Sequence, residues 1–116
     1  MKGILWIKVS ADDVKPKYST VHNHHITVGF GIESIPELIG RTVSVSLLSE
    51  HDDGTCQCVK VDYDDEDLKK IQNRQPHITI SCVEGVKPVH SNEVVKTEGV
   101  EMVGSLTGVV EFVPFK

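Results

Sequence analysis

Apolar and polar residues alternate with a period of two along most of this chain, the pattern of strands that bury one face. Six stretches carry it: residues 3–9 (GILWIKV), 24–30 (HHITVGF), 41–49 (RTVSVSLLS), 56–62 (CQCVKVD), 76–82 (PHITISC) and the closing segment EMVGSLTGVVEFVPF, which supplies one or two strands. The turn HDDGT between the third and fourth carries the Asp-Gly pair of a hairpin. Two segments break the alternation. ESIPELIG predicts a short helix with Ser34 as cap, Pro36 in its first turn and Gly40 closing it. DDEDLKKIQNR (64–74) predicts a second, because its acids precede its bases as a helix dipole favours. SADDVKPKYST, with Pro16, and GVKPVHSNEV read as loops. Strands dominate and no linker divides them, so the pattern predicts one α+β domain over residues 1–116 with antiparallel sheet.

Composition narrows the possible roles. With 39% hydrophobic and 25% charged residues the chain is expected to fold as an ordinary globular domain. Its apolar runs are too short to span a bilayer, and the first residues lack a secretory pattern, which predicts a cytoplasmic protein. The net charge of −5, with Lys and Arg scattered, disfavours extended nucleic-acid binding, since phosphate neutralisation needs a basic face. A small phosphorylated ligand or a strand terminus remains compatible. Cys56 and Cys58 would share a strand face and, with His51, make half a zinc site, but too few ligands stand at suitable spacing. With Cys82 they make an odd number, which predicts thiols rather than a disulfide framework.

The candidate chemistry lies in a repeat. His-Ile-Thr occurs at 25–27 and again at 77–79. On a strand, His25 and Thr27 project from one face while Ile26 and Val28 anchor the other, and His77 with Thr79 does the same against Ile78 and Ile80. Two such pairs across a groove suit phosphodiester cleavage. One imidazole takes a proton from the attacking oxygen, the other protonates the leaving oxygen, and the threonine hydroxyls donate to the non-bridging oxygens. The self-similarity of residues 24–32 and 76–85 predicts two related halves facing each other.

Paired H-x-T motifs of this kind, HHITVGFG and QPHITIS, resemble those of the 2H phosphoesterase superfamily. The order that follows TVSVSLL, with NRQPHITI and then VKPVHSN, is similar to the short cyclic phosphodiesterase domains of fungal and plant tRNA ligases. The resemblance covers the chain from about residue 20 onward. It implies a bilobal α+β fold, in which two antiparallel sheets with two short helices face a central groove. It also implies a hydrolase that needs no metal or other cofactor, with His25 and His77 as the acid–base pair and Thr27 and Thr79 as phosphate donors. The implied substrate is a 2′,3′-cyclic phosphate of a nucleotide or RNA end, opened to a 2′-phosphate. Alternatives are cleavage of cyclic nucleotide or oligonucleotide messengers, as phage members do against bacterial defence, and sequestration of such nucleotides without catalysis. A ligase or kinase acting in the same pathway would be the partner. The motifs are closer together than is usual in the superfamily, so the lobes are expected to be trimmed.

Four further residues are candidates for substrate contact. Tyr18, before the first motif, could stack a base, and Trp6 could do so unless it belongs to the core. Lys87 and Ser91, after the second motif, could reach a phosphate or sugar. His22 and His24 read as a loop pair at the entrance rather than metal ligands.

Overall fold

The computed structural model describes residues 1–12, 14–72 and 75–115. Its strands are β1 (Lys2–Lys8), β2 (Thr20–Val21), β3 (His25–Glu33), β4 (Thr42–Asp52), β5 (Cys56–Tyr63), β6 (His77–Cys82), β7 (Val100–Glu101) and β8 (Ser105–Pro114). Two short helices accompany them, α1 (Glu66–Ile71) and α2 (Ser91–Val94). The strands run in the order β6-β3-β1-β8-β4-β5, and β5 pairs again with β6, so six antiparallel strands close into a barrel. β2 extends along β6 and β7 along β4.

This overturns the expectation of an α+β bilobal fold with two sheets across a groove. The chain is mostly β, and its two H-x-T strands are neighbours in one wall. Closure rests on pairing between β5 and β6, from Cys56 opposite Cys82 to Lys60 opposite His77. Nothing in the local alternation marks that long-range register. Closing the sheet removes the free edges that an open sheet must protect.

The inward residues fill the barrel. Leu5, Ile7, Ile26, Val28, Val43, Val45, Val59, Val61, Ile78, Ile80 and Val110 are all buried in one apolar cluster. Each such side chain stabilises the fold by about 1.5–3 kcal/mol relative to exposure. A second, smaller cluster lies outside the wall, where Val94 and Val95 of α2 and its C-terminal end pack on Cys56, Cys58 and Cys82. That contact fastens the segment after β6 over the barrel. All three cysteines are buried thiols, and burial pushes Cys58 up to about 12. Gln57, fully buried, accepts from Lys17 N–H and Ser81 Oγ–H and donates to the Lys15 carbonyl, pinning the backbone at Lys15 and Lys17 to the wall.

The β4–β5 hairpin forms as expected. Gly54 takes φ +90°, which its missing Cβ permits, and Asp53 Oδ1 accepts from the Thr55 and Cys56 amides at 2.9 and 3.0 Å. The predicted helix at ESIPELIG is a single 3₁₀ turn, Pro36–Leu38, and Ser34 does not cap it. The second predicted helix is the shorter α1, capped by Asp65, whose carboxylate accepts from Leu68 N–H at 3.1 Å. Its expected last residues, Asn73 and Arg74, lie outside the described residues. GVKPVHSNEV holds a 3₁₀ turn at Pro88–His90 running into α2, where a loop was predicted. No helix among the described residues is long and apolar enough to cross a membrane.

Candidate active site

The inward anchoring of Ile26, Val28, Ile78 and Ile80 leaves His25, Thr27, His77 and Thr79 on the outer face of the wall. β3 and β6 pair through Ile26 and Ile78. Because the pairing is antiparallel, each histidine neighbours the threonine of the other motif. On the far side of β3, β1 aligns Trp6 with Thr27 and Ile4 with Phe30. The 3₁₀ turn and α2 cover the β6 side with Pro88, Val89, Ser91 and Asn92. Together these surfaces enclose a pocket of about 340 Å³ that all four motif residues line. The volume falls within the range of small-molecule sites.

HNHH, which opens the first motif, is a local excursion of the chain. From Val21 to Ile26 the backbone takes five steps while its partner takes three from Ser81 to Ile78. The surplus is absorbed at residues 22–25, which carries the Asn23 carbonyl back beneath the His25 ring. His25 Nδ1–H donates to it at 3.0 Å. His77 Nδ1–H donates to the Gln75 carbonyl, also two residues back, at 2.9 Å. A carbonyl can only accept, so both rings carry the Nδ1 proton and present Nε2 for chemistry.

The surroundings of the two Nε2 atoms differ. His25 lies against Trp6, with ring centroids 4.0 Å apart, and its Nε2 makes no hydrogen bond among the described residues. Burial lowers the His25 pKa below the usual 6.5; the Asn23 bond opposes that, and the charges of His77, Lys8 and His22 add to it. His77 Nε2 lies 2.9 Å from Ser91 Oγ, which also contacts Thr79 Oγ1 at 2.7 Å and donates to the Pro88 carbonyl at 2.7 Å. Ser91 is 1% exposed.

The other candidates divide. Trp6 lines the pocket, its face on His25 and its Nε1–H donated to Glu111 at 3.1 Å, so it buttresses the imidazole. Ser91 is at the site, bound to the motif residues. Tyr18 is not among the lining residues; its hydroxyl donates to Asp52 at 2.5 Å, which pushes its pKa up to about 12. Lys87 is exposed and also outside the lining. His22 lines the pocket, while His24 Nδ1 accepts from Ala11 N–H at 3.0 Å. Three or more His, Cys, Asp or Glu arranged to hold a metal do not occur among the described residues. Sequence reasoning missed Phe30, Ile4 and Val89, which give the pocket an apolar rim. Phe30 stands just past the first motif, and its 54% exposure on an otherwise ordered strand is the signal that sequence alone does not carry.

No protein-family model matches the chain, and no curated protein or solved structure is significantly similar to it.

Proposed function

We propose that the chain is a 2H-type phosphodiesterase that opens 2′,3′-cyclic phosphates of nucleotides or RNA ends by two-histidine acid–base catalysis, leaving a 2′-phosphate. One observation carries the reading: both H-x-T motifs line a single pocket, each imidazole donating its Nδ1 proton to the carbonyl two residues before it. Water attacks phosphorus and gives its proton to one Nε2, the P–O3′ bond breaks, and the other Nε2–H protonates O3′. A positioned acid or base contributes about 10²–10⁴-fold each. The Thr27 hydroxyl stands beside the histidines to stabilise the charge on the non-bridging oxygens, and Thr79 joins it by turning its proton from Ser91 Oγ to the phosphate. The apolar rim of Trp6, Phe30 and Val89 suits one nucleobase rather than a long strand, in keeping with the acidic net charge.

The test is incubation with 2′,3′-cyclic AMP, an oligonucleotide ending in a cyclic phosphate, and cyclic dinucleotides, all in EDTA. Turnover that disappears in His25→Ala and in His77→Ala supports the proposal. Activity that survives both substitutions refutes it, and loss of activity in EDTA refutes the metal-independent form. Tight binding without turnover would make the pocket a sequestering site.

A further inference from the structure

The two histidines are alike in sequence and unlike in their hydrogen bonds, and the difference assigns their roles. Ser91 Oγ has one proton and two lone pairs, and it makes three contacts within hydrogen-bonding distance. The Pro88 carbonyl can only accept, so at 2.7 Å it takes the Ser91 proton. Thr79 Oγ1, 2.7 Å away, fills one lone pair with its own proton. The last lone pair faces His77 Nε2 at 2.9 Å. This contact is a hydrogen bond only if Nε2 also carries a proton. Nδ1 already gives its proton to Gln75. All four contacts are therefore satisfied together only when His77 is an imidazolium.

We propose that Ser91 is a positioning residue that holds His77 in the proton-bearing state, making His77 the general acid and His25 the general base. The inference rests on the phosphodiester reading for its chemistry, while the protonation order stands on the hydrogen bonds alone. His25 has one carbonyl acceptor and no acceptor at Nε2 among the described residues, so nothing comparable favours its charged form.

The charged neighbours do not explain the asymmetry. Lys60 stands opposite His77 on β5, and Lys8 is paired with His25 on β1. His22 from the preceding loop acts on His25, as does His77 itself. All of these disfavour a further positive charge. Glu111 on β8 is engaged by Trp6 Nε1. Gln75, Ser91 and Asn92, on the His77 side among the described residues, are uncharged. Among the described residues, His77 has an acceptor at each ring nitrogen and His25 at one. A charge-assisted bond to such an acceptor is about twice as strong as a neutral one.

The same hydroxyl serves the other half of the cycle. When His77 gives its Nε2 proton to the leaving oxygen, Ser91 can turn its proton from Pro88 to the bared Nε2. The Pro88 carbonyl keeps the Ser91 backbone N–H as a donor. The neutral state is thus tolerated, with one hydrogen bond fewer. Proton exchange with water then moves the proton gained by His25 back to His77 and restores the resting pair.

The experiment is an ¹⁵N-resolved imidazole titration of the full chain without substrate, alongside pH–rate profiles on 2′,3′-cyclic AMP. His77 should titrate above His25. Ser91→Ala should lower the His77 pKa by about one unit, the scale of one charge-assisted hydrogen bond. The descending limb of kcat/KM should move down with it while the ascending limb stays. Ser91→Thr, which keeps the hydroxyl, should preserve the order. A His25 pKa above that of His77, or a His77 titration unmoved by Ser91→Ala, overturns the assignment. The expected order in a protein that turns over none of the substrates supports the Ser91 network and counts against the phosphodiester reading only.

Discussion

Replacing Ile78 with alanine tests how far the site depends on the barrel. Ile78 is fully buried and stands opposite Ile26 on one side and Val59 on the other, at the point where β3, β6 and β5 meet. The substitution removes three carbons, about 2.4 kcal/mol at roughly 0.8 kcal/mol per buried methylene. The void left behind adds to this, and core isoleucine-to-alanine changes cost about 2–5 kcal/mol. We expect about 3–4 kcal/mol, a large share of the roughly 5–15 kcal/mol that holds a domain of this size. Urea unfolding followed by far-UV circular dichroism reports the barrel. Fluorescence of Trp6, the single tryptophan, reports the pocket wall from its place against His25. Both transitions should shift together to lower urea. Val89→Ala, at a rim residue 63% exposed, should change stability by less than about 0.5 kcal/mol. A loss below about 1 kcal/mol for Ile78→Ala, or a shift seen by one probe only, would refute the account of pocket and core as one cooperative unit.

Three other outcomes follow from the same structure. Burial of His25 predicts a bell-shaped kcat/KM profile whose ascending limb lies below the ordinary histidine value of 6.5; a limb above it in rate measurements would count against His25 as the base. Gly99→Ala would place a Cβ 2.4 Å from the ring of buried His51, which bridges Ser49 Oγ and the Thr97 carbonyl, and calorimetry should show a loss of about 1–3 kcal/mol. Asp53 is held well below the usual aspartate range by Thr55 first, against desolvation, with His90 and the Thr55 and Cys56 amides assisting. A depressed carboxylate stabilises above its unfolded pKa and loses that contribution as pH falls through the folded one, so Asp53→Ala should cost about 1–2 kcal/mol at neutral pH and progressively less in acid. Urea titrations across that range check the convergence.

The local rules of the chain were legible and its closure was not. Alternation located six strands because each buries one face, and it placed His25, Thr27, His77 and Thr79 on outward positions, where the structure has them. It could not say that the two motif strands are neighbours in a ring, because the register of Ile26 on Ile78 and of Cys56 on Cys82 joins residues far apart in sequence. The repeated His-Ile-Thr suggested two facing halves, yet a repeat is equally satisfied by adjacent antiparallel strands. PVHSNEV has the local pattern of a loop, because Pro88 and the polar run Ser91–Asn92 obscure a helix of only one turn. Its placement comes from tertiary burial of Val94 and Val95 on the cysteines. The local pattern therefore offers Ser91 only as a loop residue, while its bonds to His77 and Thr79 depend on a turn that this pattern does not reveal.

A wall shared by both histidines also sets what can vary. In a cleft between two lobes, the spacing of acid and base changes whenever the lobes rock, and selectivity is tied to that motion. Here the spacing is fixed by one strand pairing, while Pro88, Val89 and Asn92 belong to a strap fastened separately through α2. Exchanging the Val89 side chain alone should therefore retune which base is admitted, leaving in place the Pro88 carbonyl and Ser91 hydroxyl that hold His77.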